Sequence, residues 1–449
     1  MEKQDEITIL GAGYVGLTSA VLFAHAGYKV HLIEPNPKRL EVIKSGRSFF
    51  FEQGIDKLIK LAIDNGSLLP TDNYAECVPT SDIVFSCVGT PDNPDGSSNL
   101  TYVFAAAEET AKHAKLGTVY VQKSTVPVGT GQRVIEQFAK AGADIAYVSN
   151  PEFLREGTAV EDTLYFDRVV VGGDNSEATE KVLDIYHALE SHRDNIATVA
   201  GVTANSQQGA YITTTLSSAE LIKVTANAFL ALKISFANSI AKLADAADAD
   251  INEVMDAVGA DKRIGRAFLN AGRGYGGGCF PKDVSGLISS GLSHGIDLDI
   301  MSAVQSTNAS MPGYIVEKLK DVLGGSLAGK KVTVLGLAFK SGTSDVRKSP
   351  GVALANTLAA QQAIVTAYDP EANEEAEEEL VRSISLVDSA ENAVANVDAV
   401  IVATDWPQFV NTPVAEFVNG ATVFVDAMNR FSSADVKAAG LTYIGVGRS

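Results

Sequence analysis

Apolar positions change their spacing twice along the chain. Up to about residue 205, short apolar runs alternate with stretches of helical period. Ile7–Leu10, Lys29–Ile33, Asp82–Val88, Thr118–Gln122, Ile145–Val148 and Arg168–Val171 read as strands. Buried strands separated by helices imply β-α-β units and a parallel sheet. From Thr213 to Ala260 no strand signal remains, and apolar residues recur at helical spacing. Leu216–Ala247 reads as one long helix or two closely joined helices. A glycine-rich break at 272–278 follows, and the helical pattern then resumes to about residue 323. At Lys330 the first rhythm returns. Lys331–Leu335, Ile364–Tyr368, Ala399–Ala403 and Thr422–Asp426 read as strands, with a helix from Ser349 to Gln361. Six glutamates between Glu371 and Glu379 read as a solvated helix face rather than a binding tail. The pattern therefore divides the chain into a parallel-sheet domain (1–205), a helical middle (206–322) and a second parallel-sheet domain (323–449).

Charge narrows the function. The chain has 449 residues and a formal net charge of −19, which argues against phosphate-backbone binding and so against a nucleic-acid partner. Small anionic ligands stay open, because local groups hold them rather than net charge. Three cysteines, Cys77, Cys87 and Cys279, cannot build a disulfide framework, and no C-x-x-C pair or histidine cluster points to a metal. The N-terminal stretch Met1–Glu6 is acidic and lacks the plan of a signal peptide. The most apolar long segment, Leu221–Leu243, is broken by Lys223, Lys233 and Lys242, so no membrane span is expected. The expectation is a soluble protein of a reducing, cytoplasmic compartment.

Gly11-Ala-Gly13-Tyr-Val-Gly16 follows a strand and opens a helix. Gly11 permits the tight turn, Gly13 lets the backbone approach a pyrophosphate, and Gly16 allows close helix–strand packing. The helix N-terminus adds free N–H groups and a positive dipole end. Glu34 closes the second strand, where a carboxylate accepts ribose hydroxyls and repels a 2′-phosphate, favouring NAD over NADP. The alternative is a plain turn in a flavodoxin-like sheet.

The most unusual stretch is Gly272-Arg-Gly274-Tyr-Gly276-Gly277-Gly278-Cys279-Phe280-Pro281-Lys282-Asp283. Its glycines let the backbone come close to a ligand and turn N–H groups inward. Cys279 is a candidate nucleophile if the loop is electropositive and partly open, and an inert core thiol otherwise. Cys87 lies in an apolar strand and reads as core. Lys223 and Asn227 are four apart, on one helical face in line with Leu230 and Ile234. They either point inward, with Lys223 aimed at a developing alkoxide, or Lys223 snorkels past the apolar face. Ser124-Thr125-Val-Pro127-Val-Gly129-Thr130 and Asn150-Pro151-Glu152-Phe-Leu-Arg155-Glu156-Gly157 follow two strands. There Thr125 can bond a sugar, a cofactor or a water, and Glu152 and Glu156 can orient or deprotonate a water. In the second sheet, Lys340 and Arg347 lie beside a helix start at Ser349-Pro350, which suits an anion or is an ordinary charged loop.

Taken in order, these pieces resemble the UDP-glucose/GDP-mannose dehydrogenase family. The resemblance runs from the Gly11 fingerprint through Thr90-Pro-x-x-x-Asp95-Gly96, Ser124–Thr130, Pro151–Gly157 and Glu220-Leu-x-Lys223-x-x-x-Asn227. It continues through Arg263-Ile264-Gly265, Gly276–Asp283 and Gly336-x-x-Phe339-Lys340-x-x-Thr343-Ser344-Asp345-x-Arg347-x-Ser349-Pro350. It implies an α/β fold of two Rossmann-like parallel-sheet domains joined by a central helical segment. It also implies an alcohol oxidised to a carboxylate in two hydride transfers to NAD. By that resemblance Cys279 attacks an aldehyde carbon, giving a thiohemiacetal and then a thioester, and Lys223 with Asn227 stabilises the alkoxide-like oxygen. Asp283 and Thr125 position a water, and Glu152 and Glu156 assist hydrolysis. Gly11, Gly13, Tyr14, Val15, Gly16, Glu34, Lys38, Thr90, Thr125, Glu156, Lys282 and Arg347 would hold the cofactor. Glu152, Phe153, Leu154, Lys223, Asn227, Arg263, Phe268, Asn270, Gly276, Cys279, Phe339 and Lys340 would hold the nucleotide sugar, Arg263 often from a partner subunit. Arg263-Ile264-Gly265 and Cys279-Phe280-Pro281-Lys282 look like the branch acting on UDP-glucose, the alternatives being the same reaction on a UDP-N-acetyl-hexosamine or GDP-mannose, or a silent NAD-binding regulator. Three departures fall in the cysteine loop: Gly278 where many relatives carry Ser, Arg273 where an aromatic residue is common, and Ala271 where Pro is usual. The helical middle is expected to form a symmetric dimer.

Overall fold

The computed structural model describes residues 6–418 and 420–448. The expectation for Met1–Asp5 therefore lies outside the described residues. The chain separates into two compact units, Met1–Thr225 and Ala226–Ser449.

The first unit holds an eight-stranded sheet. Its strands are β1 (Glu6–Leu10), β2 (Lys29–Ile33), β3 (Leu68–Thr71), β4 (Ile83–Ser86), β5 (Thr118–Gln122), β6 (Ile145–Ser149), β7 (Arg168–Gly172) and β8 (Ala210–Thr214), in spatial order β3-β2-β1-β4-β5-β6-β7-β8. The order reverses between β1 and β4, the crevice where doubly wound sheets take ligands. All pairs are parallel except β6 with β7, which meet antiparallel at Ser149 and Gly172. Thr213 and Thr214, expected to open the helical region, instead end the edge strand β8 beside β7. The short sequence AYITT carries no buried-strand signal, and β8 is mostly exposed.

Helices α1 (Tyr14–His25), α2 (Thr130–Lys140), α3 (Ala159–Leu164) and α4 (Ser176–Ala200) cover this sheet. α1 is buried over nearly its whole length, and Leu17, Val21 and Leu22 join Ile7, Ile9, Val30 and Phe85 in one core. A second core on the other face gathers Leu10, Val84, Tyr120, Val134 and Phe138.

The long helix is continuous: α5 spans Leu216–Ala247. Among the described residues it is the one helix long and apolar enough to cross a membrane by length and composition. Its inward positions are nevertheless polar as well as small. Glu220, Lys223, Asn227, Ser235 and Asn238 are all buried and bonded to protein groups.

The second unit contains α6 (Phe280–Ser293), α7 (Asp299–Val322) and a six-stranded parallel sheet. Its strands are β9 (Lys331–Leu335), β10 (Ile364–Tyr368), β11 (Ser385–Leu386), β12 (Ala399–Val402), β13 (Val423–Asp426) and β14 (Thr442–Ile444), in order β11-β10-β9-β12-β13-β14. Helix α8 (Pro350–Ala360) starts at the Ser349 cap, whose hydroxyl accepts from Gly351 N–H. The six glutamates are all exposed, and only a short helical turn, Asn373–Glu377, forms there.

The two sheets share an order but not a first turn. In the first, α1 begins three residues after Gly11. In the second, a loop from Gly336 to Ser349 intervenes. The carboxylates ending β2 and β10 differ too. Asp369 accepts from the N–H groups of Leu337, Ala338, Glu371 and Ala372 and from the Trp406 indole, so it is fully committed to the fold.

Candidate active site

In the first unit the sequence dictates a cradle at the end of β1. Gly11 has φ 90° and sits so close to the Cys87 carbonyl that a side chain would be refused; a Cβ on Gly16 would lie 1.8 Å from the Gly11 oxygen. Gly13, the α1 N-cap, has open space where a Cβ would project. Glu34 is buried and accepts from Asn36 N–H at 2.8 Å and Ala12 N–H at 3.3 Å, one donor per oxygen. Each carboxylate oxygen keeps acceptor capacity for a ribose hydroxyl. The residues fit NAD. Tyr14 stacks on Phe50 with ring centroids 3.9 Å apart beside this turn. Val15 is half-buried, and Lys38 is exposed on the helix capped by Asn36. Thr90 and Thr125 lie half-buried on the loops after β4 and β5, which Ser124 ties together by donating to the Val88 carbonyl at 2.7 Å.

The loop after β6 carries the densest chemistry of this unit. Glu152 accepts from Leu154 N–H at 2.7 Å with one oxygen and meets Lys223 Nζ at 2.9 Å with the other. Both side chains are buried, so Lys223 does not snorkel. Its ammonium also faces the Phe153 ring, which Arg168 covers at 3.8 Å. Glu156 is half-buried at the end of the same loop.

Three positioning groups were not singled out from the sequence. Glu220 accepts from Gly129 and Gly131 N–H groups at 2.7 Å each, capping the α2 start; burial raises its carboxyl above the usual range. Its place one turn before Lys223 was the available signal. Lys123 is buried at the end of β5, donating to Tyr186 at 2.7 Å, while Tyr186 donates to Asn150 at 2.6 Å. Glu52 accepts from Val160 N–H at the α3 start, and burial raises its carboxyl despite backbone donors from 157, 159 and 160. Nothing in the local sequence marks Glu52, whose partner is more than 100 residues away.

In the second unit Cys279 is exposed and caps the N-terminus of α6, where the helix presents its positive pole. One turn on, Asp283 is buried. Its Oδ1 meets Lys282 Nζ at 2.6 Å and its Oδ2 accepts from Asn227 at 2.6 Å. Cys87, by contrast, is buried in the first unit's core and desolvation pushes its thiol up to about 12, as expected for an inert cysteine.

The glycine loop is clamped to the second sheet. Gly277 N–H donates to the Arg347 carbonyl at 2.8 Å, and Gly276 packs against the Lys348 carbonyl and Pro350. Gly278 faces the Arg347 guanidinium, which pairs with Asp345. Phe339 lies against Gly277, and Lys340 Nζ sits 5.8 Å from the Phe339 ring centre. Phe268 holds φ 66° and packs near Phe280. Arg263 and Asn270 are exposed; Arg263 pairs with Asp261, and Asn270 accepts from Arg266.

A glycine cradle fitted to a dinucleotide, a second nucleotide-type sheet and a cysteine at a helix start define a nicotinamide-dependent dehydrogenase. Family models narrow the class: the NAD-binding domain of the UDP-glucose/GDP-mannose dehydrogenase family matches residues 5–190, its central domain 217–310 and its UDP-binding domain 333–433. The chain belongs to that family, and NAD is its cofactor. A UDP-glucose 6-dehydrogenase of Rhizobium meliloti is 38% identical over 99% of both chains, and one of Bacillus subtilis is 38% identical over 99% of this chain and 93% of its own. Among solved structures, a UDP-glucose dehydrogenase from the hyperthermophilic archaeon Pyrobaculum islandicum superposes with a TM-score of 0.88 at 37% identity, covering 100% of this chain and 98% of its own. A UDP-D-ManNAc dehydrogenase from Pyrococcus horikoshii gives 0.85 at 25% identity, with 99% of each chain covered.

Proposed function

We propose that this enzyme oxidises UDP-glucose to UDP-glucuronate, a four-electron reaction using two NAD molecules. What carries the reading is the whole-chain similarity to UDP-glucose 6-dehydrogenases, together with an exposed Cys279 on a helix N-terminus one turn from buried Asp283. NAD, which the Gly11–Gly16 turn and Glu34 would hold, would supply the hydride acceptor for each oxidation. The chain's own groups do the rest. Lys223, with Asn227 on the same helix, stabilises the oxygen of the sugar's C6 as charge develops. The Cys279 sulfur adds to the aldehyde carbon; loss of the second hydride leaves a thioester, and water cleaves it to the acid and the free thiol. Thr125 and Asp283 orient that water, and Glu152 and Glu156 assist its attack. The buried Lys223–Glu152 pair supports a shared role at one step, since each fixes the other's position.

The remaining parts of the reading follow the same resemblance. Lys340, Phe339 and Gly276 hold the nucleotide sugar, and Arg347 and Lys282 contribute to cofactor binding. The domain division is 1–205, 206–322 and 323–449. The protein is cytoplasmic, with no membrane or nucleic-acid partner. It is a homodimer through α5, whose outward positions Phe229, Phe236 and Leu243 are exposed at sevenfold spacing.

The test is the yield of NADH per UDP-glucose at limiting sugar and excess NAD. Two per sugar supports the four-electron oxidation. None refutes UDP-glucose as substrate. UDP-N-acetylmannosamine, UDP-galactose and GDP-mannose in the same assay then decide the alternative, which the Pyrococcus horikoshii likeness keeps in play.

A further inference from the structure

Arg273 is a buried charged residue that the mechanism above does not use. It stands near the start of the glycine loop and is 2% exposed, among the largest fully buried side chains of the described residues. Its backbone N–H donates to the Ala427 carbonyl just beyond β13. Its Nη2 donates to the carbonyls of Phe339 at 2.7 Å and Ala338 at 3.3 Å, just beyond β9, and its Nε points at Met428 Sδ at 3.2 Å. The guanidinium thus lies over the carboxyl ends of the second sheet, beside the crossover between β9 and β12. That is where an open doubly wound sheet takes its ligand.

Two features set this group apart from a structural clamp. Its Nη1 is buried with no hydrogen-bond partner. Among the described residues the guanidinium also bonds no carboxylate. The acidic groups that act on it electrostatically are committed elsewhere: Asp405 to Arg430 and Ser341, and Asp369 to four backbone N–H groups and the Trp406 indole. Burial pulls the Arg273 pKa down to about 10, so the group keeps its charge at neutral pH. A buried cation with an unmet donor is unfavourable unless an anion completes it. A planar guanidinium suits phosphate oxygens.

We infer that Arg273 reads the diphosphate of the nucleotide sugar, giving Nη1 to a phosphate oxygen while Nη2 stays on the Phe339 carbonyl. The inference rests on the nucleotide-sugar reading and extends it to a residue outside that reading's substrate set. It also gives Arg273 a second duty. By holding the Phe339 carbonyl it fixes the segment that presents Lys340, so the diphosphate meets two cations whose spacing one residue controls. Nη1 is covered by protein, so seating the nucleotide must uncover it.

The test is calorimetric titration of the full-length protein with UDP and with uridine, in the wild type, Arg273→Met and Arg273→Lys. Arg273→Met is expected to lose about ten- to a hundredfold in UDP affinity, as for a hydrogen bond to a charged group, with uridine affinity unchanged. Arg273→Lys keeps a charge and one nitrogen for Phe339, and is expected to fall between. It decides the matter alone if the methionine variant does not fold. Equal losses for UDP and uridine, or an unchanged ratio between them in Arg273→Lys, would overturn the inference and leave Arg273 a structural clamp. A wild-type protein that binds neither compound would sink the nucleotide-sugar reading and the inference together. Undiminished UDP binding by the variants sinks the inference alone.

Discussion

Lys223 Nζ lies 2.9 Å from Glu152 Oε1, with both side chains buried. One turn earlier on the same helix, Glu220 holds the loop after β5 through two backbone N–H groups. α5 therefore registers both strand-end loops that carry proposed chemistry, one through a cation and one through an anion. Lys223→Ala is expected to lower kcat by about two to three orders of magnitude, as for loss of an oxyanion-stabilising group, with NAD affinity little changed. It also strands a buried carboxylate, which costs about 3–5 kcal/mol of stability. Steady-state kinetics, NAD titration and urea unfolding on one preparation separate the two effects. A change confined to NAD affinity would move Lys223 out of the sugar site.

Cys279→Ser replaces the sulfur with a far weaker nucleophile at the same helix N-terminus. The variant is expected to stall after the first oxidation or to lose nearly all turnover. NADH yield per UDP-glucose, with a carbonyl trap for the aldehyde, measures the point of arrest. Full activity in this variant would remove the covalent step from the mechanism.

The strands that face core on both sides were legible because burial on two faces writes continuous apolar runs. β5 and β9 are such strands, and β2 and β10, more fully buried at alternate positions, also have the residues the sequence predicts. β8 and β11 were not, because an exposed edge strand has no such constraint. The reversal at β7 was hidden for a related reason: one paired residue at the strand ends fixes direction, and side-chain pattern is blind to it. At the site, Lys223, Asn227 and Asp283 were legible as polar groups breaking an apolar stripe or following a glycine loop. Glu52 and Lys123 were not, since their partners at Val160 and Tyr186 are distant in sequence. Lys123 follows an apolar strand with no local mark of burial, and only folding reveals that it is buried.

Glu52 offers a pH test. Burial raises its carboxyl above the ordinary value of 4.5, while backbone N–H groups at 157, 159 and 160 oppose the shift. The folded chain therefore binds this proton more tightly than the unfolded chain. The contribution to stability is fully present below the unfolded pKa and is lost as pH rises through the folded value. Glu52→Gln abolishes the titration, at a pH-independent cost from the altered bond to Val160. The difference in Tm, variant minus wild type, is expected to rise with pH from about 4 to 7. A flat or falling difference in thermal melts would show that Glu52 is not held up by burial.

The proposed dimer depends on the outward stripe of α5. Phe229, Phe236 and Leu243 are exposed large apolar residues on one helix face. A charge at Phe236 would have to be desolvated in any symmetric contact through that face. Phe236→Asp is expected to convert a dimer to a monomer, read as a halved mass by light scattering, with helical content by circular dichroism unchanged. A wild-type monomer at working concentration would dismiss the dimer outright.

The glycine loop can be tested at two positions that differ only in what lies opposite. A Cβ on Gly276 would sit 2.4 Å from the Lys348 carbonyl oxygen and 2.7 Å from Pro350 Cδ, all parts of a fixed helix start. A Cβ on Gly278 would sit 2.6 Å from Arg347 Cζ, the far end of a flexible and largely exposed side chain. Backbone cannot yield without shifting α8, whereas a guanidinium can swing aside. Gly276→Ala is expected to destabilise by about 1–3 kcal/mol, in the range for overpacking. It should also cut turnover, since the same loop sets the position of Cys279. Gly278→Ala is expected to cost well under half of that and to act mainly through Arg347. If Arg347 contributes to cofactor binding as proposed, Gly278→Ala raises the KM for NAD more than that for the sugar. Urea unfolding and the two KM values check both halves, and equal stability losses at the two glycines would contradict the packing argument.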